Sequence, residues 1–349
     1  MTYSNWKSVF TVITLFLFLS CGGKKKKDIL NNFPALEDIA SSPRQWTGVG
    51  VSKEGRIFVN FPRWSDDVPV SVAEIVGGKP VPYPNAEWNR YQEDNKHFLA
   101  VQSVYVDREN RLWVLDPANP EFRGVVSRGP RLFRFDLSTN KLVKSYRFPE
   151  KSYSANSYLN DVRIDTGRQY AFITDSGTGG LLVLNLITGE VNRVLDGHFS
   201  AMAETDSLKF ENGTVWRNRV HSDGIALSPD NRWLYYIPLT GHTLYRVPVE
   251  SLVNRPRSAA KHVEKVGKVK ATDGMLFTEN NELLLGGLES NSIYKLDSLG
   301  NYKLVIQDDR IAWADSFAAG KDGEIYFTTS QIHIPVIKRE QYFLYKINL

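Results

Sequence analysis

The sequence predicts an all-β fold, a six-bladed β-propeller with four-stranded blades. Three observations predict it. A phrase recurs six times: a short apolar strand, an acidic or Gly/Asn turn, then a strand rich in β-branched and aromatic residues. Its clearest copies run from Asp223 to Tyr236 and from Asp315 to Phe327, and others begin near Thr47, Ser103, Asp161 and Asp273. The steps between these start points are 56, 58, 62, 50 and 42 residues, a period that several strands per unit turn into propeller blades. Finally, aromatic residues make up 12% and hydrophobic residues 42% of 349. That is enough for a packed β protein that grows by repetition rather than by swelling one core.

The chain opens on a segment of another kind. Lys7 precedes a run from Val9 to Leu19 that is apolar but for two threonines. The run is too short to span a bilayer and suits a signal-peptide core, expected at residues 1–20. Phe18-Leu19-Ser20-Cys21-Gly22-Gly23 resembles a bacterial lipobox, with Cys21 as the lipidated residue. Residues 21–34, with Lys24 to Lys27, are expected to form a tether, and 35–349 the propeller. Five of the 43 basic residues and none of the 39 acidic ones lie in residues 1–27, so the remainder carries a net charge of −1. The basic balance is therefore no argument for nucleic-acid binding. Cys21 is the only cysteine, which excludes intramolecular disulfides. These features predict an exported monomer, secreted or lipid-anchored in the cell envelope, that meets the membrane only through the anchor.

Each blade needs four antiparallel strands. The second unit supplies Val104–Asp107, Leu112–Leu115, Leu132–Leu137 and Leu142–Phe148. The third supplies Val162–Asp165, Ala171–Thr174, Leu181–Leu186 and Glu190–Leu195. The fourth supplies Ile225–Ser228, Trp233–Ile237, Thr243–Val247 and His262–Val266. The fifth supplies Met275–Thr278, Glu282–Leu285, Ser292–Leu296 and Tyr302–Gln307. Turn residues such as Asp230-Asn231 and Leu299-Gly300-Asn301 separate them. The last unit has only Phe317–Ala319, Glu324–Thr329 and Tyr342–Asn348, so residues around Ala35–Ala40 are expected to add its fourth strand and close the ring. In the first unit Val70–Val76 reads as outer strand. Pro80 to Lys96 reads as an aromatic loop that either caps a binding face or packs on a blade.

Taken together, Gly55-Arg56-Ile57-Phe58-Val59-Asn60-Phe61-Pro62-Arg63-Trp64, Pro82-Tyr83-Pro84, Arg111 to Asp116, Tyr170 to Ser176, Asp223 to Pro229 and Trp313-Ala314-Asp315-Ser316-Phe317 resemble the Yellow/major royal jelly protein family. The resemblance implies a six-bladed propeller, export and binding of small organic ligands. It also implies links to pigment-precursor conversion in some insect members and to biogenic amines in some salivary ones. A more distant likeness is to gluconolactonase-like propellers. Asn160-Asp161, Asp165, Gly167-Arg168 and Tyr170 resemble the strand that gives those enzymes a metal-binding Asn. Asp273-Gly274-Met275 resembles the strand of their metal-bound Asp, which is also their base, and Asp223 stands where they carry Asn. Their first-blade Glu has no counterpart in Trp46-Thr47-Gly48-Val49.

Four carboxylates begin innermost strands: Asp161, Asp223, Asp273 and Asp315. Equivalent blades bring them to one channel mouth, where they raise one another's pKa. A hard cation such as Ca²⁺ relieves the repulsion, with Asn160 adding a neutral oxygen. Alternatively, each Asp staples neighbouring backbone N–H groups. His221, two residues before Asp223, projects to the same side if the strand extends that far. It is the candidate base or ligand among the six histidines. Arg217, Asn218 and Arg219 precede it, either as anion contacts or as a solvated loop.

Three functional readings follow. The first is binding of a small polar or aromatic molecule by Asn160, Asp161, His221, Asp223, Asp273 and Asp315. The second is a divalent-metal-dependent lactone or ester hydrolase, with Asn160, Asp223 and Asp273 as ligands and Asp273 or His221 as base. The third is a non-catalytic protein-interaction scaffold.

Overall fold

The structure, a computed structural model, describes Met1 and residues 33–349 apart from 95 and 128. The expected signal segment, Cys21 and nearly all of the tether lie outside the described residues. Among the described residues no helix is long and apolar enough to cross a membrane.

After β1 (Glu37–Ser42) the chain builds blade 1 from β2 (Val49–Val51), β3 (Ile57–Asn60), β4 (Val72–Val76) and β5 (Lys79–Pro82). A short helix α1 (Ala86–Asn89) leads to blade 2: β6 (Ser103–Val106), β7 (Arg111–Asp116), β8 (Arg131–Asp136) and β9 (Lys141–Arg147). Blade 3 is β10 (Leu159–Asp165), β11 (Tyr170–Asp175), β12 (Leu181–Asn185) and β13 (Val191–Val194). A two-stranded hairpin follows, β14 (Ser207–Lys209) and β15 (Val215–Arg217). Blade 4 is β16 (Ser222–Leu227), β17 (Trp233–Pro238), β18 (Thr243–Pro248) and β19 (Glu264–Lys268), with helix α2 (Val249–Asn254) before its last strand. Blade 5 is β20 (Met275–Phe277), β21 (Leu283–Gly287), β22 (Ser292–Leu296) and β23 (Tyr302–Gln307). Blade 6 is β24 (Ala314–Ala319), β25 (Glu324–Thr329), β26 (Tyr342–Asn348) and, last, β1. Six antiparallel four-stranded blades thus form a ring.

The expected closure is present. β1 pairs antiparallel with β26 from Glu37↔Lys346 to Ser42↔Tyr342, so the outermost strand of the last blade comes from the other end of the propeller. The core lies between blades. Phe58, Val72 and Tyr83 of blade 1 meet Val104, Val114 and Phe133 of blade 2. Trp113 and Leu132 meet Ile164 and Ile173 at the next interface, and Phe172 meets Ile225 and Tyr236 at the one after. Each such side chain, once buried, contributes about 1.5–3 kcal/mol.

The segment from Pro80 differs from its expectation. Lys79–Pro82 is β5, the outer strand of blade 1, and only the part beyond it is irregular, apart from α1. Tyr83 N–H donates to the Val72 carbonyl, so the alternate positions 80 and 82 turn their ring nitrogens to the open edge, where no donor is needed. The aromatics beyond pack on blades 1 and 2: Trp88 lies 5.1 Å from Phe98 and 5.3 Å from Phe135. None of the described residues from 80 to 96 lines the cavity at the channel mouth.

Candidate functional site

The inner strands begin irregularly, and the irregularity places the carboxylates. The β10–β11 register shifts between Leu159 and Val162, β16–β17 between Ser222 and Ile225, and β24–β25 between Ala314 and Phe317. Each bulge releases one acidic residue from the ladder: Asp161, Asp223 or Asp315. Bulges re-aim side chains in this way beside functional sites. Close approach of the strands does the rest. A Cβ on Gly224 would stand 2.5 Å from the Asp273 carbonyl, so only glycine lets these two inner strands meet.

A cavity of about 850 Å³ opens above these strand ends. Asp223, Asp273, Asp315 and Asn160 line it. All four channel aspartates are buried, Asp223 to 2% exposure. Burial pushes the Asp223 carboxyl well above the ordinary carboxylate range, and the charges of Asp161 and Asp315 add to it. Asp273 is raised by burial and then by Asp315 and Asp223. Asp315 is pushed up to about 8 by burial, with the Asp161 charge adding.

Their partners differ. Asp273 Oδ2 accepts from Trp313 Nε1 at 2.7 Å. Asp223 Oδ1 is buried with no partner at all. Asp161 sits apart from the cavity lining. Its Oδ1 accepts from Ser103 Oγ at 2.9 Å and its Oδ2 lies 3.6 Å from Arg163 Nη2. Arg163 reaches on to the Met275 carbonyl of blade 5 at 3.0 Å. Burial raises Asp161, and Arg163 and Ser103 draw it part of the way back.

The backbone-staple alternative describes other aspartates. Asp116 accepts from the Leu99, Ala100 and Ala118 N–H groups, and Asp175 from those of Tyr158, Gly177 and Thr178. Asp223 is not used in that way.

His221 stands elsewhere. Its Nδ1 accepts from the Ala203 N–H at 3.0 Å, and it does not line the cavity. Burial and Arg219 lower its pKa and keep it neutral. The bulge at Ser222–Ile225 is the physical reason, because it breaks the alternation that would have put His221 and Asp223 on one side. Asn218 and Arg219, in contrast, do line the cavity.

Several other lining residues, Gln102, Phe122 and Tyr158 among them, were not site candidates in the sequence. Trp64 Nε1 donates to Tyr158 Oη at 2.7 Å, which donates to Gln102 Oε1 at 2.7 Å. Gln102 Nε2 donates to Asn160 Oδ1 at 2.9 Å, and Asn160 Nδ2 to Ser176 Oγ at 3.1 Å. Phe122 lies 4.9 Å from Tyr158 and 5.9 Å from Trp64, making an aromatic wall. Gln102 precedes Ser103 as Asn160 precedes Asp161, at equivalent positions of the repeat.

Comparison with known proteins adds a family. The sequence profile described as major royal jelly protein matches residues 99–342. The chain belongs to the major royal jelly protein family. Major royal jelly protein 3 of Apis mellifera is 30% identical over 228 residues, covering 60% of this chain and 40% of that one. Protein yellow of Drosophila pseudoobscura pseudoobscura is 28% identical over 240 residues, covering 62% and 42%. The match therefore spans well under two thirds of these family members. Among solved structures, a luciferin-regenerating enzyme superposes with TM-score 0.58 at 14% identity, covering 90% of this chain and 95% of that one. A gluconolactonase of Xanthomonas campestris superposes with TM-score 0.57 at 13% identity, covering 91% and 92%. At such identities the likeness is one of fold.

Proposed function

We propose that this family member binds a small organic cation with an aromatic or otherwise apolar body in the channel-mouth cavity. The observation that carries the reading is Asp223 Oδ1, a buried carboxylate oxygen without a donor, on the floor of a cavity walled by Trp64, Phe122, Tyr158 and Trp216. An unsatisfied buried acceptor costs about 1–3 kcal/mol, and an ammonium group supplies the missing donor. Aromatic faces favour the same charge. The volume lies within the usual range for small-molecule sites. Export, by secretion or through a lipidated Cys21, is part of the same proposal and rests on the sequence of residues 1–21.

A divalent ion fits the donor set less well. Asn160 Oδ1 and Asp273 Oδ2 already accept bonds, and Thr47, where a first-blade Glu would stand, gives its hydroxyl to the Gln102 carbonyl. Among the described residues no three His, Cys, Asp or Glu side chains are spaced to hold a metal ion. We therefore derive no hydrolytic step through a metal. The scaffold reading is weaker too, since it gives no role to a buried carboxylate oxygen without a donor.

Titration calorimetry with phenethylamine tests the proposal. Wild-type protein is expected to bind it, and Asp223→Asn to bind it roughly 10- to 100-fold more weakly, as for loss of a charge-assisted bond. No binding by the wild type, or equal affinity for the variant, overturns the reading. A requirement for Ca²⁺, abolished by chelation, would favour the metal site instead.

A further inference from the structure

The cavity carries charge of both signs, arranged in layers. Its floor is Asp223, Asp273 and Asp315, at the ends of the inner strands. Its rim, built from the connecting loops, holds Arg44, Arg219 and Arg339. Two of these arginines have acidic partners. Arg44 pairs with Asp67, which is on the same rim, at 3.1 Å, and Arg219 with Asp206 at 3.2 Å. Both are exposed pairs of the kind that contributes little.

Arg339 is different. It lies in the connection between β25 and β26, half-buried, and its partners are all neutral oxygens. Its Nε donates to the Ile334 carbonyl at 2.7 Å, Nη1 to Gln45 Oε1 at 3.0 Å and Nη2 to the Ile332 carbonyl at 3.2 Å. These bonds hold the guanidinium in place and leave its charge uncompensated. A guanidinium has five N–H donors in a planar fork, so two remain for a further acceptor. Burial, with the Arg339 charge adding, lowers His333 to about 4, so no second cation forms behind it. A fixed and unneutralised guanidinium on the wall of a cavity is matched by a carboxylate, sulfate or phosphate.

We propose that the ligand is dipolar: an apolar or aromatic body with an ammonium group at one end and an acidic group at the other. The ammonium meets the Asp223, Asp273 and Asp315 floor, and the acidic group meets Arg339. Asn218 and Arg219, on the same rim, supply further donors to the anionic end. This inference rests on the cation-binding reading above and adds the second charge.

A matched set of probes separates the two. Phenethylamine carries the cation alone, 3-phenylpropionate the anion alone, and 4-(aminomethyl)benzoate and 4-(2-aminoethyl)benzoate carry both at two separations. With the wild-type chain, one of the dipolar probes is expected to bind at least ~10-fold more tightly than phenethylamine. Arg339→Gln is expected to erase that gain without weakening phenethylamine, whose cation loses a like charge on the cavity wall, and Arg339→Lys to restore part of the gain. Equal or weaker binding of both dipolar probes, or a loss in Arg339→Gln that is the same for phenethylamine, overturns the inference. Asp223-dependent binding of phenethylamine with no dipolar gain leaves the cation reading standing and removes this one. Binding of none of the probes removes both. The wild-type comparison decides the matter even if Arg339→Gln fails to fold.

Discussion

A methyl group on Gly274 would stand 2.7 Å from the Phe317 ring and 3.0 Å from the Asp315 carbonyl. No Cβ sits that close without moving its neighbours, and here one neighbour is the backbone that carries Asp315. Gly274→Ala is therefore expected to cost about 1–3 kcal/mol in chemical denaturation, as overpacking does. It should also weaken phenethylamine binding, because the inner strands of blades 5 and 6 part. Trp313 supports the same place from the other side. Its φ is +72°, a rare state for a bulky side chain, and its fully buried indole lies between Trp216, 5.0 Å away, and His333, 5.9 Å away. That posture delivers Nε1–H to Asp273. Trp313→Phe keeps an aromatic ring, though a smaller one, and removes the donor, so we expect a loss of about 1–3 kcal/mol in stability. The Trp313 indole proton is expected downfield in the NMR spectrum of the wild type and should move in Asp273→Asn. The repeated Asp-Gly pairs at 223 and 273 were legible in the sequence, because blade spacing repeats them. Trp313 was visible only as a family phrase, since neither its left-handed backbone nor its partner 40 residues away leaves a periodic mark.

At the scale of elements, Asn89 shows how an irregular segment is held. It ends α1, is 2% exposed and satisfies both ends of its amide. Oδ1 accepts from the Ser71 and Val72 N–H groups, and Nδ2 donates to the Tyr83 and Asn85 carbonyls. Asn89→Ala leaves two buried N–H groups without acceptors. A loss of about 2–4 kcal/mol is expected, read as a lower denaturation midpoint with an unchanged slope. The strands themselves were legible to within a few residues wherever apolar alternation ran between turn residues, as in β22 and β23, whose bounds match their expectation. The hairpin β14–β15 was not, because strands of three residues carry too little pattern. Nor was β5, whose prolines read as loop until the open edge of the blade explains them. Many of the residues that line the cavity beyond the acidic set come from such connections. Arg339, Trp216 and Phe122 lie in segments of unequal length that no repeat aligns, so the three floor aspartates could be read from the sequence, but of the walls little beyond Asn218 and Arg219.

For the whole molecule, the buried carboxylates set a stability that falls as pH rises. An unfolded Asp titrates near 3.9, whereas Asp315 in the folded protein is pushed up to about 8. Between those values the native state holds a proton that the unfolded chain has released, and stability then declines with increasing pH. Asp223 and Asp273, raised by burial and by the neighbouring carboxylates, act in the same direction. His97 does as well. Its ring lies 2.7 Å from Asp94 and 3.1 Å from Glu87, bonds that raise its pKa. Its contribution is full below the unfolded value near 6.5 and is lost as pH rises through the higher folded one. The two sources separate by substitution. Asp315→Asn removes a buried charge and none of the His97 contacts, so it should flatten the decline, leaving the variant at least ~1 kcal/mol more stable than wild type at pH 8 and close to it at pH 4. His97→Gln should remove only the His97 share and leave the carboxylate share of the decline in place. A bound ammonium ion compensates the ionised carboxylates, so phenethylamine should raise the melting temperature more at pH 8 than at pH 5. Melts across this range in both variants and in wild type, with and without phenethylamine, check the argument. A wild-type stability that climbs from pH 5 to pH 8 would show that the three cavity aspartates are charged in the resting protein, with a counter-ion already among them.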